Sequence, residues 1–237
     1  MPYAEKCKRP LYLLIGFVGM FLCGIGDILF SFRGDGEPTA VSGMMSMNIT
    51  EVPLYFYFMS FFIGIIAMVG YFFGSRAMYS YCLDRLGKPT KALKAYNFGA
   101  VMMSLGIFGI HSVCSMALIA LRCAAEAGLS PELINEHFAL PMMIPFAVTT
   151  TWQTIADLIA GIIYIVFVFK KVIPVSKLWL ICGPLVLYVI FNILKVIITA
   201  VTGNALIGKL LSGGETWGLA FMFLAVYFCT KKESRSL

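Results

Sequence analysis

Residues 140–169 read LPMMIPFAVTTTWQTIADLIAGIIYIVFVF, thirty residues with Asp157 as the only charge. An α-helix rises 1.5 Å per residue, so about 20 apolar residues cross the roughly 30 Å hydrocarbon core of a bilayer. The stretch is long enough to do so. On either side, comparable apolar blocks occupy Leu11–Phe32, Pro53–Ser75, Tyr96–Leu121, Leu178–Val201 and Thr216–Cys229. The last is short for a full span and needs Trp217 and Lys231 as interfacial anchors.

The 237 residues are 60% hydrophobic and 13% charged, against about 25% charged in an average soluble domain. Such a chain cannot cover a water-facing surface with charge, which excludes a soluble enzyme. No stretch between the blocks is long enough for a separate soluble unit. The expectation is an all-α protein: a single transmembrane domain over residues 1–237, built as a polytopic bundle of six transmembrane helices. The first block follows Lys6, Lys8 and Arg9 as a secretory signal would. Its apolar run is too long for a signal's core, so it is expected to stay as a helix.

Basic residues set the orientation. The net charge is +6, but fourteen of the 18 Lys and Arg residues fall on one side of the alternating connections. They are Lys6, Lys8, Arg9, then Arg76, Arg85, Lys88, Lys91, Lys94, then Lys170, Lys171, Lys177, and finally Lys231, Lys232 and Arg235. The positive-inside rule places that side in the cytoplasm, giving an N-in, C-in protein of a bacterial plasma membrane. Alternation of this kind excludes nucleic acid as the partner of the charge. The opposite loops carry Asp35, Glu37 and Glu51, then Glu126, Glu132, Glu136 and His137. There, Ser130-Pro131-Glu132 has the form of a helix start, and a short interfacial helix is expected over Pro131–Phe138.

Polar residues inside the blocks recur at helical spacing. Lipid offers no hydrogen bonds, so such residues face the protein interior. The fifth block aligns Tyr188, Asn192, Lys195, Thr199 and Thr202; the fourth aligns Thr149, Gln153, Asp157 and Tyr164. The third offers Ser104, His111 and Ser115, the second Ser60, Tyr71 and Ser75, the first Cys23, Asp27 and Ser31. Only the sixth lacks a stripe. Gly70 and Gly74 form a GxxxG for close helix approach, and with the apolar sixth block they offer an interface to a second copy or another partner.

At the depths these positions imply, Asp27, His111, Asp157 and Lys195 share a band with Gln153 and Asn192. The economical arrangement is a water-accessible pocket opening outward, lined by spans one, three, four and five, with Lys195 paired to Asp27 or Asp157. Asp27, His111, Asp157 and Lys195 are the candidate catalytic residues. Tyr71, Ser115, Gln153, Tyr188 and Asn192 are the candidate ligand-binding residues. The seven cysteines contain no CxxC pair, and a set built from His111, His137, Asp27 and Glu136 has no ligand spacing. No metal and no cofactor is assigned from the sequence.

Two resemblances add to this. Gly24-Ile25-Gly26-Asp27, His111-Ser112 and the stretch Lys170–Leu185 resemble an uncharacterised family of small bacterial multi-pass membrane proteins, a domain of unknown function. Gly26-Asp27 and Ala156-Asp157-Leu158 are faintly similar to the lysoplasmalogenase-like membrane hydrolases, a likeness that implies paired catalytic roles for Asp27 and Asp157. The role expected of the outward-opening pocket is binding of a small or amphiphilic ligand, with membrane lipids as further partners. The alternatives are an intramembrane lipid hydrolase using Asp27 and Asp157, a proton-coupled small transporter, and a membrane assembly partner.

Overall fold

The structure is a computed structural model that describes residues 3–34, 46, 48–203 and 205–234, with side chains at 8–34, 46, 48–203 and 208–233. The expectations placed on Lys6, Cys7, Asp35, Glu37 and Arg235 lie outside the described side chains. Six long helices make up the fold: α1 Tyr3–Ser31, α2 Leu54–Leu86, α3 Lys91–Glu126, α4 Leu140–Phe169, α5 Pro184–Thr202 and α6 Gly214–Ser234. Among the described residues, six helices are long and apolar enough to cross a membrane. The protein is an all-α, multi-pass membrane protein.

Local signals explain most boundaries. Gly87 ends α2 in the left-handed conformation (φ +69°) and Thr90 opens α3 by accepting the Leu93 N–H, so a short turn joins the two. The fifth helix starts six residues later than its apolar block, at Pro184, because a proline in the first turn gives up no intrahelical hydrogen bond. Lys177–Leu180 accordingly forms a 3₁₀ turn ahead of Pro184. The segment after Ser130 is helical, but it does not stand apart as an interfacial helix. Pro131–Ile134 passes through a π-helical turn, Asn135–Ala139, directly into α4. The wider turn absorbs an extra residue without breaking the backbone hydrogen-bond ladder.

The sixth helix has 21 residues and needs no interfacial anchors. Trp217 instead lies inside the bundle, with ring centroids 5.1 Å from Phe21 and 6.5 Å from Phe191.

The helices touch in sequence order, and α6 closes the ring against α1. The tightest seam joins α1 to α2. A Cβ on Gly16 would sit 2.7 Å from the Gly74 α-carbon, and one on Gly19 would sit 2.9 Å from the Gly70 α-carbon. The Gly70/Gly74 pair is therefore filled by α1 of the same chain, and its expected use as an interface between copies is corrected. Leu219, Met222, Phe223 and Val226 of α6 are likewise buried in the core. At the basic end, Arg9 bridges Asp84 at 2.7 Å and Ser80 at 2.8 Å, while Arg85 meets Glu233 at 3.0 Å.

Helix α5 differs from the rest. Pro184 is its only buried residue. It approaches α4 near the basic end, where Leu185 covers Gly161. Farther along, the facing residues Thr150, Tyr188, Asn192 and Lys195 are exposed, and apolar Ile144, Val148, Val189 and Val196 flank them.

Candidate functional site

Cys23 and Asp27 are four residues apart on α1 and so share one face of the helix. His111 of α3 enters between them and α2. Two glycines make room for the ring: a Cβ on Gly64 would overlap His111, and one on Gly26 would sit 3.0 Å from its Cε1. The His111 Nε2 lies 3.2 Å from the Cys23 Sγ and 3.4 Å from Asp27 Oδ1. The other ring nitrogen, Nδ1, lies 3.1 Å from the Ser60 hydroxyl, which is also within donating distance of the Gly26 carbonyl, at 2.9 Å.

A serine hydroxyl has a single proton. When the Gly26 carbonyl takes it, Ser60 accepts from Nδ1–H and the Nε2 lone pair faces Cys23 and Asp27; when it turns to Nδ1, Nε2–H faces Asp27 instead. The second carboxylate oxygen of Asp27 accepts a short hydrogen bond from the Thr216 hydroxyl at the start of α6. Gly213 lies against the same oxygen at φ +80°, where a Cβ would be both strained and 2.7 Å from Asp27 Oδ2.

These groups form one wall of a cavity of about 270 Å³, at the small end of ligand-sized pockets. It lies in the half of the bundle away from the basic end. Helix α4 adds Thr150 and Gln153; α5 adds Tyr188, Asn192 and Lys195; Glu215 adds a second carboxylate from α6. Six of the nine candidate residues thus line a common space: Asp27, His111, Gln153, Tyr188, Asn192 and Lys195.

Three do not line it. Asp157 is buried behind Gln153, whose amide donates to its Oδ2 at 3.3 Å, while Oδ1 is without a hydrogen-bond partner. Tyr71 packs in the core with its ring 5.5 Å from Phe223. Ser115 is fully buried. Tyr71 shares a helix face with Ser60 but lies about three turns further along α2, beyond the cavity; Ser115 is turned aside from the lining residues His111 and Cys114 of α3.

The expected ion pair of Lys195 is also corrected. Among the described residues Lys195 makes no salt bridge, because the cavity separates α5 from α1 and Thr216 occupies the facing Asp27 oxygen. Its stem instead runs along Gly208, whose Cβ would lie 3.3 Å from Lys195 Cγ. His137 and Glu136 are exposed in the π-helical turn and do not join His111.

Sequence reasoning missed Cys23, Thr150, Glu215 and Thr216 as site residues. Glu215 and Thr216 escaped because the sixth block begins, by apolarity, at Thr216, so the first turn of α6 counted as loop. The spacing of Cys23 and Asp27 was the available signal for Cys23.

No curated protein and no solved structure matches the chain, lysoplasmalogenase-like hydrolases included. A family model does match, over residues 5–233. The chain therefore belongs to that family, the family of unknown function DUF6796.

Proposed function

We propose that the protein binds a single-chain amphiphile, its polar head in the α1–α3–α6 cavity and its tail in the gap between α4 and α5. The orientation that goes with this reading is N-in, C-in in a bacterial plasma membrane, which puts the cavity in the outer half. One observation carries the proposal: polar residues lining the cavity on α4 and α5 are themselves exposed at bilayer depth. Tyr188 keeps 49% of its surface exposed, and Val196, next to Lys195 on α5, keeps 69%. Polar groups at that depth are costly against lipid tails, and a ligand head filling the space would satisfy them. Lys195 suits an anionic group in that head, such as a phosphate or carboxylate.

The test is thermal unfolding of the protein in nanodiscs with lysophosphatidylcholine, a fatty acid or a monoacylglycerol added. Saturable stabilisation by one of them, lost in Asn192→Leu and Thr150→Leu, supports the reading. A shift that is the same in wild type and both variants, or no shift with any probe, overturns it.

A second reading, hydrolysis of that amphiphile, is favoured by the 3.4 Å approach of Asp27 to His111 on the cavity wall, an acid–base arrangement. Asp157, which does not line the cavity, has no part in it. Turnover of a lysophospholipid that survives Asp27→Asn would remove this reading.

A further inference from the structure

The geometry points to a metal site at Cys23, Asp27 and His111, suited to zinc, with its fourth position facing the cavity. The inference concerns the cavity wall alone and does not need an amphiphile to enter.

Three different Lewis bases converge there: a thiol sulfur, a carboxylate oxygen and an imidazole nitrogen, all within 4.8 Å of one another. Zinc bonds of about 2.0–2.1 Å to nitrogen and oxygen and about 2.3 Å to sulfur fix the edges of a tetrahedron. At tetrahedral angles a nitrogen–oxygen edge comes to about 3.3 Å and a nitrogen–sulfur edge to about 3.5 Å. The edges found are 3.4 Å from Nε2 to Asp27 Oδ1 and 3.2 Å from Nε2 to Cys23 Sγ. The histidine has a tautomer that suits a cation. With the ring proton on Nδ1, accepted by Ser60, the Nε2 lone pair and Asp27 Oδ1 face each other, two acceptors at 3.4 Å. A cation between them turns that repulsion into coordination.

The surrounding bonds also take the form of a second shell. Metal-bound histidines give their other N–H to an oxygen acceptor, and bound carboxylates are hydrogen-bonded in turn. Ser60 does the first and Thr216 the second. A thiolate with an imidazole selects a borderline-soft metal over magnesium or calcium. Three protein ligands and an open position facing a cavity is the pattern of a catalytic and not a structural zinc site. Glu215 lines that cavity as well.

The experiment loads purified nanodisc protein with zinc, removes loose metal on a chelating resin and measures metal per chain. About one zinc per chain is expected. It should fall at least tenfold in Cys23→Ser and in Asp27→Asn, and remain in Cys114→Ser, a buried thiol on the same cavity. Substitution of the wild-type protein with Co²⁺ gives a second readout that needs no variant to fold. The visible bands of tetrahedral cobalt and a near-ultraviolet thiolate-to-cobalt band are expected, the latter absent in Cys23→Ser. Wild-type protein that retains no zinc overturns the inference. So does zinc that both variants retain, or cobalt without the thiolate band.

Discussion

Ser60 sits between the Gly26 carbonyl, 2.9 Å away, and His111 Nδ1, 3.1 Å away, so that as donor to the first it is the acceptor for the second. Ser60→Ala removes that acceptor from a histidine that is 3% exposed. An unsatisfied buried donor costs about 1–3 kcal/mol, and a lower unfolding temperature is expected. ¹⁵N NMR of labelled histidine should report the Nδ1–H tautomer in the wild type and a mixture in the variant. A mixture in both would show that Ser60 does not set the tautomer.

The α1–α2 seam leaves no room for side chains at its glycines. Gly70→Leu is expected to force α1 and α2 apart, with a loss at or above the 1–3 kcal/mol typical of overpacking. Val69→Leu, one residue away on an exposed surface, should change stability by less than about 0.5 kcal/mol. Unfolding followed by tryptophan fluorescence distinguishes them. Equal melting of the two variants would contradict the close approach.

Asp84 balances an arginine that is 9% exposed. Removing one partner of a buried pair costs about 3–5 kcal/mol, whereas replacing both with apolar residues is often neutral. The Asp84 side chain is about a third exposed, so solvent screening lowers the expected cost of Asp84→Ala to about 1–3 kcal/mol. The double variant Arg9→Met with Asp84→Leu should regain most of it. Melting of the double variant below Asp84→Ala would refute this account.

Orientation is open to chemical labelling. Cysteines placed at Lys94 and at Glu132, in a background with exposed Cys123 replaced, should react oppositely with a membrane-impermeant maleimide added to intact cells. The Glu132 position is expected to label and the Lys94 position to stay protected. The reverse result would place the basic end outside.

How much of this was legible follows from what a single helix face can encode. The apolar run at 140–169 defines α4 to the residue, because lipid demands a continuous apolar surface. The stripe through Tyr188, Asn192 and Lys195 likewise marks residues that share a cavity. Periodicity gives the face of each helix, but not its rotation against neighbours. It could not separate Gln153, on the cavity, from Asp157 one turn behind it, or tell that Tyr71 turns into the core. The pairing of Lys195 with an acid failed for a related reason: depth alone does not state the distance across a gap. Gly70 and Gly74 announced a close helix contact, and only the fold supplies α1 as its occupant.

The exposed outer face of α5 makes its surroundings part of its architecture. Five helices hold one another through buried side chains, whereas this one packs on α6 along one side and leaves the other to the surrounding medium. Solubilisation is therefore not a neutral step for this molecule. Short-chain detergent replaces the medium that α5 leans on and leaves the glycine seam on the far side untouched, so the choice of extractant selects the shape of the chamber that is later measured.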